Sequence, residues 1–352
     1  MGFSFIVWTY HSGTACVCRV WKYNLQCDII IIKYETFAAR QAQSLIGDGT
    51  MLVFNEDFLK EEIRCGFTVP EMMKRVWAVE MEVLSEIHRI CRDYGLTYYA
   101  HWGTLLGAVR HQGFIPWDDD IDIAMKRRDY QILMKVLSDE LPEGYYNSSS
   151  YADPTHSQPA ASVMNTKYVI LDEKRRQRFY GCPYICGIDI APLDFVPRDK
   201  EQAEIHRNLY TVVYSAAKNY NTYTKSGEIE SYLQQIESLC QTKIIRGNNE
   251  ENQLWLLLDK IAGLFNEDEC DKLTFFPTNI CYRPEYYLDK DWFSDTVMMP
   301  FEQMQVPVPC GYDEVLKTTY GDYMTPSYNG GRAHEYPYYK KQEEYLRSHG
   351  LL

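Results

Sequence analysis

No run of apolar residues in this chain approaches the ~20 that a helix needs to cross a bilayer. The longest candidate, CDIIIIKY (residues 27–34), is far too short. The start lacks the basic residues, clean apolar stretch and small-residue cleavage site of a secretory signal. Basic residues are in deficit, with 36 Lys and Arg against 49 Asp and Glu and a net charge of −13. That balance leaves no general basic face and excludes nucleic acid as a partner class. Zinc-finger spacing is missing as well: Cys16 and Cys18 are too close for a knuckle, and CPYIC (Cys182, Cys186) has no second pair at matching distance. Eleven cysteines, an odd count in a long chain, read as free thiols in a reducing compartment. No internal repeat and no low-complexity tract interrupts the chain. These absences point to a folded cytoplasmic protein, touching the inner face of a membrane only peripherally and only if its substrate is lipid-linked.

What remains is enough for one large domain or two small ones. The chain has 352 residues, and 29 tyrosines and 7 tryptophans contribute to its core. Residues 1–50 show neither helical nor strand period, so the native start is expected at or near Met51, with the first fifty residues an extension outside the fold. Beyond Met51 the pattern becomes regular. TVPE (Thr68–Glu71) reads as a capping box with Pro70 in the first turn. Val76, Val79, Val83, Ile87 and Ile90 then mark one helix face, and Gly95 a stop. The spacing predicts a helix from about Val69 to Tyr94. LTYYAHW (96–102) follows as a short strand, Gly103 and Thr104 turn the chain into a short helix (LLGAV), and GFIPWDD is a loop. DIDIAM is a strand and RRDYQILMKVLSDEL a helix burying Tyr130, Leu133 and Leu137. KYVILD (167–172) and GIDIAPLDFVP (187–197) are further strands. From about Lys200 the pattern turns helical. Helices and strands do not alternate strictly, which favours an α+β fold. The expected division is a catalytic core over 51–199 and a mainly helical C-terminal, substrate-side region over 200–352, packed on that core.

The stretch GTLLGAVRHQGFIPWDDDIDIAM (103–125) carries the chemistry. Strand geometry sends alternate side chains to one face, so Asp120 and Asp122 stand together, about 6–7 Å apart at their backbones, while Ile121 and Ile123 face the core. Two carboxylates so placed converge on a divalent ion, and an all-oxygen site selects Mg²⁺ or Mn²⁺. The same run lacks the glycine and glutamate that a calcium-binding EF-hand loop requires. Upstream, Gly103 and Thr104 sit at a strand-to-helix turn whose free N–H groups suit a phosphate. Arg110 offers two parallel donors to the same kind of group, with His111 beside it. Trp117 is either core or a face for a cationic ligand. Asp189, flanked by Ile188 and Ile190, is the candidate third metal ligand and the group that orients or deprotonates an attacking hydroxyl. Asp194 is the runner-up, expected in a loop after Pro192. Lys126, Arg127 and Arg128 read as solvated surface, and Arg332 and His334 as a late polar loop.

At these residues the chain resembles the LicD family of phosphocholine and phospho-sugar-alcohol transferases, which includes the fukutin-related proteins. The resemblance runs from about Asn55 to Tyr339. It rests on the 103–125 stretch and on two later blocks, IDIAPLDFVP and VPVPCGYDEVLKTTYGDYM; residues 1–50 have no counterpart in it. The family is similar to nucleotidyltransferases, which implies a mixed sheet with flanking helices. It also implies a phosphate-turn role for Gly103 and Thr104 and metal-carboxylate roles for Asp120, Asp122 and Asp189. The implied activity is transfer of a phospho-alcohol, phosphocholine first, from CDP-choline or a CDP-polyol to a glycan or lipid-linked glycan hydroxyl with release of CMP. The implied acceptors are lipopolysaccharide, teichoic acid or related surface glycans. Two other readings stand beside it: a nucleotidyltransferase that activates a small phosphate, and an inactive scaffold that binds a structural cation.

Overall fold

The computed structural model describes residues 5–9, 15–19, 52–55, 57–326 and 336–352. The proposed extension over 1–50 therefore lies outside the described residues, apart from strands β1 (Phe5–Thr9) and β2 (Ala15–Arg19), which pair antiparallel with each other. The second unit, Gly47–Leu352, holds everything else. It opens with the hairpin β3 (Glu62–Arg64) and β4 (Phe67–Val69), then α1 (Glu71–Tyr94), β5 (Tyr99–Ala100) and α2 (Trp102–His111). Next come β6 (Ile121–Lys126), α3 (Arg127–Glu140), β7 (Tyr146–Ser148), β8 (Ala161–Met164), α4 (Glu173–Arg178) and β9 (Gly187–Pro197). Helices α5 (Lys200–Lys218), α6 (Tyr220–Ser226), α7 (Ile229–Cys240) and α8 (Glu250–Ala262) follow. The chain ends with β10 (Cys270–Thr274), α9 (Phe276–Cys281), β11 (Leu288–Asp289), the hairpin β12 (Thr296–Phe301) and β13 (Met304–Pro309), α10 (Tyr312–Tyr320) and α11 (Lys340–Ser348).

The fold is α+β, organised by one mixed sheet in the order β11-β10-β9-β6-β5, with β8 on β9 and β7 on β8. Its spine is β9, long enough to hold three neighbours. One edge runs parallel to β6 from Ile121↔Ile188 to Lys126↔Leu193. The other edge pairs antiparallel first with β8 and then with β10. The alternating apolar residues of β6 and β9 explain this central position: Ile121, Ile123, Ile188 and Ile190 are buried. Helices α5, α7 and α8 carry a separate apolar cluster around Tyr210, Val213, Leu233, Ile236 and Trp255. No helix among the described residues is long and apolar enough to cross a membrane.

Several local expectations are corrected. The predicted face of α1 is buried, but so is every residue from Val76 to Ile87, making α1 a central helix rather than a one-faced one. One of its buried charges, Glu82, accepts from Arg178 (2.6 Å), the Leu52 N–H (2.8 Å) and the Tyr180 hydroxyl (2.7 Å). The capping box at Thr68 does not form. Thr68 pairs with Ile63 in the β3–β4 hairpin, and α1 starts after Pro70 without a side-chain cap. Gly95 ends the helix in the left-handed region, at φ 64°. Residues 167–172 are not a strand. The Thr166 hydroxyl donates to the Tyr168 carbonyl (2.9 Å) and Asp172 caps α4, so turn chemistry wins and the preceding Ala161–Met164 takes the sheet position. Among the described residues eight cysteines are free thiols, and Cys182 and Cys186 lie buried with their sulfurs 3.6 Å apart.

Candidate active site

The first turn of α2 is lashed to the start of β6. The His101 N–H donates to the Asp122 carbonyl (3.0 Å), and Thr104 Oγ1 accepts from the Asp122 N–H (2.8 Å). Thr104 is buried, and accepting that bond leaves its own proton free to donate. Gly103 has no side chain for a packing reason. A Cβ there would lie 2.3 Å from Asp118 Oδ2, so any side chain would push that carboxylate off the first turn. The positive end of the helix favours an anion in that place. The loop after α2 returns through a second close approach, with the Gly113 N–H donating to the Gly107 carbonyl (3.3 Å).

Carboxylates gather at this corner. Oxygens of Asp118, Asp119 and Asp120 lie within 4.8 Å of one another. Asp122 on β6 stands in register with Asp189 on β9, one strand spacing away. The group is fixed from outside: the Trp77 indole donates to the Asp118 carbonyl (3.3 Å), and the Tyr338 N–H to Asp119 Oδ2 (2.7 Å). The Ser162 hydroxyl donates to Asp189 Oδ1 (2.5 Å). Burial, reinforced by Asp120, Asp189 and Asp118, pushes the Asp122 carboxyl well above the usual carboxylate range. Glu80, reaching in from α1, is pushed up in the same way, by burial and then by Asp120, Asp119, Cys182 and Asp118. Its Oε2 has no hydrogen-bond partner. The donors at this corner are hard carboxylate oxygens, a set that suits a divalent cation of the Mg²⁺ or Mn²⁺ type; the oxygens that converge are those of Asp118, Asp119 and Asp120, whereas the ligands expected from the sequence are Asp120, Asp122 and Asp189.

The structure thus brings Gly103, Thr104, Asp120, Asp122 and Asp189 together, with Asp120 just ahead of β6 rather than within it. Arg110, His111 and Trp117 form a separate contact at the far end of α2, about 10 Å along the helix from Gly103. Arg110 donates to the Tyr323 carbonyl (2.6 Å), and the His111 and Trp117 rings meet edge-on, 6.1 Å apart. Burial, Arg110 and Arg64 push His111 down to about 4. Trp117 is mostly core, packed against Phe67. Asp194 is not in a loop: it lies within β9 and is buried against Arg127 (2.6 Å). Arg127 in turn is not surface but pairs with Asp194 and Asp259. Arg332 and His334 lie outside the described residues.

Four residues near the carboxylates escaped the sequence reading. Glu80 looked like any helix charge, and Ser162 carried no motif. Tyr338 and Tyr320 are about 200 positions downstream. Tyr320 closes α10 beside the cluster; burial, then Asp118 and Asp122, push its hydroxyl upward. The family block VLKTTYGDYM contained Tyr320, and that was the available signal.

With this geometry in place, comparison with known proteins becomes informative. Residues 95–177 match the family model described as LicD/FKTN/FKRP, nucleotidyltransferase domain. That span includes α2, the aspartate run and β8, and stops before Asp189. The lipopolysaccharide cholinephosphotransferase LicD of Haemophilus influenzae is 29% identical over 252 residues, covering 69% of this chain and 88% of that protein. Uncharacterised proteins of Rickettsia prowazekii and Rickettsia typhi are 39% and 38% identical over 64 residues, 18% of this chain and 24% and 21% of theirs.

Proposed function

We propose that this chain, which is similar to the LicD phosphotransferases, moves phosphocholine from a CDP-linked donor to a hydroxyl of lipopolysaccharide or a related surface glycan, releasing CMP. The observation that carries the proposal is the Asp122↔Asp189 register, which sets two carboxylates side by side next to Asp120 and the first turn of α2. The name of the Haemophilus relative supports the phosphocholine group and the lipopolysaccharide acceptor. In this reading the N–H groups of the first turn of α2, over which the Asp118 carboxylate rests, and the Thr104 hydroxyl hold the donor diphosphate once that carboxylate moves aside. Asp120, Asp122 and Asp189 hold a divalent cation, which when bound neutralises the diphosphate. Asp189, exposed at the open end of β9, orients the acceptor hydroxyl and takes its proton.

The test is CMP release from CDP-choline with lipopolysaccharide present, for the wild type, Asp122→Asn and Asp189→Asn. Both variants are expected to keep their far-UV circular dichroism and lose turnover; full activity in either removes the site assignment. A parallel incubation with CTP and phosphocholine separates the nucleotidyltransferase reading, which requires CDP-choline to accumulate.

A further inference from the structure

The carboxylate pair is the inner end of a longer row. On the face of the sheet that carries Asp122 and Asp189, register places Ser162 of β8 opposite Asp189 and Ser148 of β7 opposite Ser162. The pleat puts all four on one side. Burial alternates to match: Ala161 and Val163 are buried while Ser162 is partly open, and Asn147 is buried while Ser148 is partly open. The row continues beyond the sheet edge. Ser148 Oγ lies 3.1 Å from His156 Nδ1, and His156 Nε2 lies 2.8 Å from the Ala160 carbonyl. A carbonyl only accepts, so Nε2 donates to it. In the uncharged ring Nδ1 then accepts from the Ser148 hydroxyl. Both serine oxygens keep lone pairs for an incoming donor, and nothing apolar interrupts the row from Asp122 to His156.

We propose that Ser162, Ser148 and His156 form the acceptor side of the site: Ser162 positions Asp189, and Ser148, held in place by His156, accepts hydrogen bonds from the hydroxyls of the acceptor sugar. The proposal rests on the phosphotransfer reading above. In-line displacement supplies the direction. The acceptor oxygen forms its bond to phosphorus as the bond to CMP breaks; CMP leaves with the electron pair and Asp189 takes the hydroxyl proton. Attacking and leaving oxygens must sit on opposite sides of the phosphorus. The first turn of α2 flanks the β6 side of the carboxylates, whereas the serine row extends from the β9 side across about 10 Å of sheet. A phosphate at α2 therefore leaves the serine row as the side from which a hydroxyl approaches. Sugar hydroxyls donate, and the two serine oxygens, whose own protons are committed to Asp189 and His156, are left to accept.

The experiment measures steady-state kinetics and calorimetric binding of a lipopolysaccharide core oligosaccharide. Wild type is compared with Ser148→Ala, His156→Ala, Ser162→Ala and Ser162→Thr. Ser148→Ala and His156→Ala are expected to raise the acceptor KM and weaken oligosaccharide binding at least fivefold, with the CDP-choline KM unchanged. Ser162→Ala should lower kcat with the CDP-choline KM unchanged, and Ser162→Thr, which keeps the hydroxyl, should restore it. Unchanged acceptor affinity in Ser148→Ala and His156→Ala, or a rise confined to the donor KM, overturns the assignment. Absence of CMP release by the wild type sinks the phosphotransfer reading instead, and the binding arm still decides whether the row holds sugar.

Discussion

Thr104→Val separates two jobs that one hydroxyl performs. Valine matches threonine in shape but cannot accept the Asp122 N–H that Thr104 Oγ1 now takes at 2.8 Å. Thr104 is 2% exposed, so water cannot replace the lost partner. An unpaired buried N–H costs about 1–3 kcal/mol, which for a domain of this size lowers Tm by a few degrees. The same bond sets where β6 begins, so Asp122 shifts with it, and a displacement of about 1 Å in a reacting constellation costs on the order of 10²-fold in rate. Thr104→Ser keeps both the accepted and the donated bond and should stay near wild type in both respects. The assays are the urea midpoint and CMP release as a function of CDP-choline concentration. A Thr104→Val protein with wild-type midpoint and wild-type kcat refutes the argument. A wild-type midpoint with a raised donor KM alone would mean that the hydroxyl serves phosphate and does not anchor the strand.

Three further expectations follow from the same geometry. EDTA should abolish CMP release and Mg²⁺ or Mn²⁺ should restore it, because the crowded carboxylates that push Asp122 upward need a cation to act together; unchanged turnover in EDTA contradicts this. Arg127→Met should destabilise the fold by about 3–5 kcal/mol, since it leaves the Asp194 carboxylate buried without its partner (2.6 Å); a urea midpoint within error of wild type would show that the pair is dispensable. His101 is fully buried, and burial pushes its imidazole down to about 3. The unfolded chain therefore binds a proton below pH 6.5 that the folded chain refuses. Stability from this group is complete above pH 6.5 and falls by about 2 kcal/mol at pH 5. His101→Leu should remove that part of the slope in urea melts taken between pH 5 and 7.

The candidate site was legible where its parts are close in sequence. Gly103, Thr104, Asp120 and Asp122 fall within twenty residues, and period-two alternation was enough to put Asp122 on the open face. Asp189 was found because Ile188 and Ile190 repeat the apolar-acid-apolar pattern of β6. Asp194 and Arg127 were misread for one shared reason. A charge is expected at the surface, and only a long-range contact between β9 and the start of α3 reveals that these two bury each other. Thr68 was misread because a hydroxyl ahead of a proline suits a helix cap and a hairpin strand equally well; pairing with Ile63 decided it.

By itself the sequence determined the identity and order of the chemical groups: an acidic strand, a glycine-hydroxyl turn before it, a second acidic strand after it, and an acidic overall balance. Those follow from local period and composition, which need no knowledge of distant neighbours. Tertiary structure alone decided which groups meet. The register between β6 and β9 placed Asp122 beside Asp189, α1 brought Glu80 behind the aspartates, and β7 and β8 extended the polar row to His156. Strand register and helix docking are fixed by how the apolar faces pack across the whole core, and no short window of residues carries that information.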